Sequence, residues 1–223
     1  PHVVGNGEPL RPVDYGDELA RIVAQGLRVA RAGGTGDTTR FVCGYLTFEP
    51  HLSRRLLDGL PPVFKVNVRG EGAGPWLENA IRHSVDQAGD SPAGGEAVLA
   101  RLAEALFIET LRQHIASLPA STVGWLAGVR DVTVSRALAL LHQDPAGTWT
   151  LASLARAAGT SRSVLAERFR HYLDESPMAY LARWRLQLGA RQLLETRRSV
   201  AGIAAEVGYE SEAAFNRAFR REF

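Results

Sequence analysis

The last third of this 223-residue chain repeats itself, and that repeat restricts the fold more than any other feature. Residues 151–160 (LASLARAAGT) line up with residues 200–209 (VAGIAAEVGY). After one extra residue, Glu210, residues 161–170 (SRSVLAERFR) line up with residues 211–220 (SEAAFNRAFR). Each copy has the same physical grammar. Thr150 or Ser199 is a polar N-cap for a helix of about two turns. Leu154 with Ala155, or Ile203 with Ala204, packs inward. Gly159 or Gly208 ends the helix where a left-handed residue is needed. Ser161 or Ser211 then caps a second helix, whose Leu165 and Phe169, or Phe215 and Phe219, face the core at i and i+4. A small alanine on the first helix lets the second cross it closely. This is the pattern of a helix-turn-helix, in which the second helix offers its N-terminal residues to the major groove of DNA. One such corner is a weak signal, because two-helix corners are common; two in register are a strong one.

The connection between the copies agrees with this reading. Ser176-Pro177 is an N-cap followed by proline at the first helical position. Met178, Leu181, Trp184, Leu188, Leu193 and Leu194 then sustain a helical pattern. About 18 residues of helix span ~27 Å, and the flanking units bring the two recognition helices to ~34 Å apart, the spacing of successive major grooves. Ahead of the first copy, Asp131 caps a helix carrying Val134, Leu138 and Leu141 that ends before Asp144-Pro145.

Upstream, the punctuation changes. Residues 1–95 hold 15 of the 22 glycines and 8 of the 11 prolines, so turn-rich sequence gives way to helix-rich sequence near residue 75. Residues 2–4, 40–48 and 63–68 read as strands, the second a β-branched and aromatic run, the third alternating. Residues 14–25 read as a short helix, with Leu19, Ile22 and Val23 on one side. So few strands make a poor core, so the start of a β domain is expected to lie outside the chain. From Pro75, the residues Trp76, Leu77, Ala80, Ile81, Val85 and Ala88 repeat at helical spacing. Beyond a loop at 89–95, Val98, Leu99, Leu102, Leu106, Phe107, Leu111, Ile115 and Leu118 form a second apolar face. An antiparallel helical hairpin is expected over residues 75–118, serving either as a dimer interface or as a cover for the β domain. Residues 119–124 are short, small and polar enough for a linker.

Charge adds a partner class. Lys65 is the only lysine, so 25 of 26 basic residues are arginine. Residues 140–223 carry 12 basic and 9 acidic side chains, whereas residues 1–139 carry 14 and 15. A mildly basic C-terminal part permits nucleic-acid binding without requiring it.

From about Trp125 to Phe223 the chain resembles the AraC/XylS family of bacterial transcription regulators. The most specific stretches are residues 176–181 (SPMAYL) with Arg185-Leu186, and Ile203-Ala204 through residues 208–220 (GYESEAAFNRAFR). The chain stops where members of that family usually continue. The N-terminal part resembles the cupin-type sensor of one AraC subgroup, through residues 43–48 (CGYLTF), Leu60-Pro-Pro62 and the helical stretch ending near Leu118. The fold implied is α+β and mostly α. It comprises a partial cupin-like sensor sheet (1–74), a helical hairpin for dimerisation (75–118), a linker (119–124) and an all-α double helix-turn-helix domain (125–223). The resemblance implies double-stranded DNA, a homodimer, RNA polymerase and a small-molecule or redox effector as partners, with no membrane, and a cytoplasmic location.

Carried over position by position, the base-facing residues are Ser163, Ala166 and Glu167 in the first recognition helix, and Glu212, Ala213, Asn216 and Arg217 in the second. Glu167 departs from the family, where a larger or basic residue is common; it repels phosphate but can accept from a cytosine amino group. A solvated helix face would explain it equally. Arginine pairs with guanine in bidentate fashion, which favours Arg217, although a structural ion pair is the alternative. Ser161, Arg162, Arg170, Ser211, Arg220 and Arg221 suit phosphate, because helix N-termini and arginines favour anions.

Catalytic constellations are absent from the sequence. The six histidines, at 2, 51, 83, 114, 142 and 171, make no close metal pair. Gly33-Gly-Thr-Gly36 lacks the Lys-Ser or Lys-Thr of a phosphate loop. Cys43, the one cysteine, precludes an intrachain disulfide and the zinc site of a suicide methyl acceptor. It reads as a packed strand residue or, if electropositive groups surround it, a redox sensor. A non-enzymatic regulator without a cofactor is therefore expected; the alternative is a metal-dependent cupin enzyme fused to a DNA-binding domain.

Overall fold

A computed structural model describes Leu46, Phe48 and residues 55–67, 74–87 and 94–223. The expected strands at 2–4 and most of 40–48, the helix at 14–25, the glycine-rich stretch at 33–36 and Cys43 lie outside the described residues. The chain divides into two compact units, residues 1–46 with 67–110, and residues 47–66 with 111–223. Among the described residues the structure is mostly helical, and none of its helices is long and apolar enough to cross a membrane.

Helix α1 (Gly74–Gln87) and most of α2 (Gly95–Ser117) belong to the first unit. Their apolar spacing is only partly used for burial. Leu77 and Leu99 are buried, but Trp76 is 64% exposed and Val98 53%.

In the second unit seven helices follow: α3 (Trp125–Arg130), α4 (Val132–Gln143), α5 (Leu151–Ala157), α6 (Arg162–Leu173), α7 (Pro177–Glu195), α8 (Val200–Glu206) and α9 (Glu212–Glu222). Their starts are written in the sequence. The side chains of Asp131, Thr150, Ser161, Ser176, Ser199 and Ser211 each accept a backbone N–H from the first turn they cap. Thr150 and Ser153 form a reciprocal capping box. Each cap is worth ~1 kcal/mol, which matters for helices as short as α5 and α8. Gly159 (φ 73°) and Gly208 (φ 90°) turn the chain after α5 and α8.

Two separate cores result. The first joins α4, α5 and α6 through Val134, Leu138, Leu141, Leu154, Leu165 and Phe169, and takes Tyr180 and Leu181 from the start of α7. The second joins α7, α8 and α9 through Leu186, Ile203, Ala204, Val207 and Phe215. The long helix α7 thus contributes to both. Leu194, placed by its spacing with the apolar residues of α7, is 75% exposed.

The expected strand at 63–68 is not formed over its described part, residues 63–67. Two prolines precede it and remove two backbone donors. Phe64 and Val66 are half-buried while Val63 is 78% exposed, and Phe64 packs on His114 of α2, its ring 4.5 Å from the imidazole. The alternation therefore serves packing on a helix, not a ladder. Just upstream, residues 55–58 form one helical turn. Its Arg55 lies 5.1 Å over the Tyr180 ring and pairs with Glu175, whose side chain is only 9% exposed. Arg183 of α7 stands 3.5 Å from Glu175 and 3.3 Å from Glu222 of α9. Neither Glu175 oxygen has a well-aligned hydrogen bond, so opposite charge is what offsets its burial.

Residues 119–124 are tied at both ends. Arg130 donates to the carbonyls of Leu118 and Pro119, and the Gly124 N–H donates to Tyr172 O at 2.9 Å.

Gly189 marks the closest approach in the second core, since a Cβ there would lie 2.8 Å from the Phe215 ring. Gly189→Ala gains helix propensity but overpacks this contact, at ~1–3 kcal/mol. Thermal unfolding followed by circular dichroism should show a lower midpoint than wild type. An unchanged or higher midpoint would mean that Phe215 swings aside freely.

Candidate nucleic-acid interface

The second helix of each corner is held by its buried face. Leu165 and Phe169 anchor α6, and Phe215 anchors α9, all at 1% exposure or less. With those residues inward, helical geometry turns the intervening positions outward. On α6, Ser163 and Glu167 are exposed and Ala166 is half-buried. Together with Arg170 and His171 they line one shallow concavity. On α9, Glu212, Ala213 and Arg217 are exposed and Asn216 is half-buried. The residues inferred to face bases therefore lie on the outer surface of their helices, those of α6 gathered around one depression.

The serines and arginines inferred to meet phosphate are also exposed: Ser161, Arg162, Arg170, Ser211, Arg220 and Arg221. Two of them are already engaged. Ser161 Oγ accepts from Val164 N and lies 3.1 Å from Ser163 Oγ, and Ser211 Oγ accepts from Ala214 N, both as N-caps. Their hydroxyls can still donate outward.

Ion pairs sort the arginines of this unit. Arg168 of α6 is bound to Asp131, the N-cap of α4; Arg191 pairs with Glu195 and Arg198 with Glu206. Arg185 is taken up by three carbonyls. Its Nε donates to Pro145 O at 2.6 Å, Nη1 to Gly208 O at 3.0 Å and Nη2 to Gly147 O at 2.8 Å. Burial lowers its pKa, but an arginine so bonded stays charged. By contrast, Arg162, Arg170, Arg217 and Arg220 have no ion pair among the described residues. The structural ion pair considered for Arg217 is not formed there.

Sequence reasoning passed over His171 and Arg185. His171 stands four residues beyond Glu167, so the i, i+4 spacing alone could have found it. Arg185 belongs to a recognisable motif, but nothing local assigns it a task, because its partners lie 23, 38 and 40 residues away.

Burial on α7 and in the turn between α8 and α9 also sets two local pKa directions. Tyr180 and Tyr209 are both raised, chiefly because burial disfavours the phenolate.

Capped helices that meet across a glycine turn define a helix-turn-helix protein. Comparison with known families agrees: residues 154–223 match the helix-turn-helix domain model, and residues 1–116 match a cupin model. The chain belongs to the AraC-like transcription regulators. It is 42% identical over 195 residues to a putative AraC-like transcription regulator of Streptomyces antibioticus, covering 86% of this chain and 63% of that protein. It is 40% identical over 212 residues to another from Streptomyces lividans, covering 94% of this chain and 67% of that protein. A third relative is the HTH-type transcriptional regulator AlkR of Acinetobacter baylyi, 34% identical over 176 residues, 78% of this chain and 57% of that protein. All three carry the names of regulators, and none that of an enzyme. This chain thus spans about two thirds of the length of the first two. No solved structure matches it significantly.

Proposed function

We propose that this chain is the sequence-specific DNA-binding part of a transcription regulator, with two helix-turn-helix units that enter successive major grooves on one face of the duplex. The observation that carries this reading is the outward row on each recognition helix: Ser163, Ala166 and Glu167 on α6, and Glu212, Ala213, Asn216 and Arg217 on α9. Each row stands on a helix whose opposite face is locked into a core. The cupin-matching residues 1–116 are the signal-receiving part, and a small-molecule or redox effector acts there. RNA polymerase is the further partner that such a regulator addresses.

Phosphate contact falls to the exposed arginines without ion pairs. Arg220→Ala should weaken binding to all duplexes and reduce the salt dependence by about one phosphate. Arg168→Ala should leave the salt slope unchanged, because Arg168 is spent on Asp131. Fluorescence anisotropy across a salt series reads both slopes. Equal slopes for wild type and Arg220→Ala would remove Arg220 from the phosphate set.

Direct base discrimination falls mainly to α9, where Asn216 and Arg217 offer long donors to purine edges. The first recognition helix works more through phosphate, apolar contact and DNA shape. Arg217→Ala should cost ~1–3 kcal/mol on the preferred site and relax one base pair. Glu167→Ala should cost less and should strengthen non-specific binding, because it removes a charge that phosphate repels. Binding-site selection with both variants compares them. A larger loss of specificity from Glu167→Ala would reverse the assignment of the two helices.

The helices α1 and α2 form the dimerisation hairpin in this reading. Its apolar residues Leu102, Leu106, Phe107 and Leu111 are each only half-buried in the single chain, as an interface requires. Leu106→Glu should therefore yield a folded monomer by light scattering. Retention of the dimer would place the interface elsewhere, and general unfolding would assign these residues to the core.

A further inference from the structure

Two cores that share no residue leave open what holds the two reading units in fixed relation. The first core takes Tyr180 and Leu181 from the opening turns of α7; the second begins at Leu186. The first unit therefore grips one end of a helix about 28 Å long. A tilt of about 10° at that grip would move the far end by ~5 Å, more than one base-pair step.

Arg185 stands between the two cores. Its guanidinium reaches in both directions, to Pro145 O and Gly147 O in the loop that leads into α5, and to Gly208 O in the turn between α8 and α9. A planar fork spreads five N–H donors over three nitrogens and so reaches three carbonyls on two loops at once; an ammonium offers its three donors from a single nitrogen and lacks that span. The backbone of the second turn is fitted to this contact. A Cβ on Gly208 would lie 2.8 Å from Ala146 Cα and 2.9 Å from the guanidinium carbon of Arg185. The equivalent glycine of the first corner, Gly159, has nothing closer than 3.8 Å to the same position. Both glycines serve their turns, but only Gly208 also makes room for a clamp between units.

We infer that Arg185 is a positioning residue that sets the spacing and phase of the two recognition helices, and hence the separation of the half-sites the protein accepts. The inference rests on the DNA-reading assignment above. Arg185 touches no base; it acts through the loop at 145–147 and the turn at 208.

The test uses the duplex selected by the wild-type chain, with one base pair inserted or deleted between its half-sites. Each change shifts one half-site by ~3.4 Å and turns it by roughly 35°. Wild type should lose at least about 30-fold on both altered duplexes, since one unit then misses its bases. Arg185→Met should bind the original duplex about 5- to 10-fold more weakly but lose less than about threefold on the altered ones. Its affinity for a duplex with only one intact half-site should stay within about twofold of wild type. Arg185→Lys should behave like Arg185→Met. Gly208→Ala, which pushes the clamp apart from the other side, should broaden spacing in the same way, and circular dichroism establishes that each variant is folded. A folded Arg185→Met or Gly208→Ala that keeps the wild-type spacing preference overturns the inference. So does a uniform loss that includes the single half-site, because that is the mark of general destabilisation. A wild type that binds no duplex overturns the DNA-reading assignment itself, and this inference with it.

Discussion

One helix has to satisfy two hydrophobic cores, and the architecture of the second unit follows from that constraint. The residues of α7 cannot be chosen for one partner alone. Its start supplies Tyr180 and Leu181, which close the first core; its later turns supply Leu186 and Gly189, which admit the second. Bulk comes first and smallness later because the two partners approach differently. Tyr180 is large enough to meet the edge of Phe169, the rings nearly perpendicular at 83°. Gly189 is small enough to let the Phe215 ring lie against the backbone. Reversing that order would open a void at one end and a clash at the other.

Short-range features of this unit were legible in the residues. Six of the seven N-caps are a serine, threonine or aspartate that binds the next turn's amides, so Asp131, Thr150, Ser161, Ser176, Ser199 and Ser211 could be placed by local chemistry; the seventh, Gly124 before α3, has no capping side chain. The glycines at 159 and 208 could be placed because L-residues rarely adopt their backbone angles. Burial also followed from the duplication: Leu165 and Phe169 in one copy predict inward places for Phe215 and Phe219 in the other, and Phe215 is buried while Phe219 is half-buried against the same core. Polar contacts over long stretches of chain were not legible. Nothing in the local pattern says that Arg168 binds Asp131, or that Arg185 reaches three carbonyls, because periodicity encodes which side of a helix faces inward and not which loop lies opposite.

Upstream, the residue pattern carries less information for a physical reason. Alternation at 63–68 predicts a strand, but two-residue periodicity needs a neighbouring strand to become a ladder. Over residues 63–67 the half-buried positions are Phe64 and Val66, and Phe64 meets His114 of α2 where a ladder would place a cross-strand partner. Trp76 and Leu194 show the complementary error. A residue on an apolar stripe is buried only if another element covers that part of the stripe, and the stripe itself does not report its cover.

Residues 55–66 fall inside the cupin match yet pack in the unit that carries the seven helices. Arg55 neutralises a nearly buried carboxylate at the joint between α6 and α7. The modules visible in sequence and the bodies visible in space therefore have different edges. For anyone building chimaeras, a crossover at residues 119–124 is not a clean seam: it carries Arg55 away with the foreign half and leaves Glu175 with only the more distant Arg183 as its counter-ion. In lineages that trade sensors among such regulators, the arginine and the glutamate would have to travel, or be lost, together.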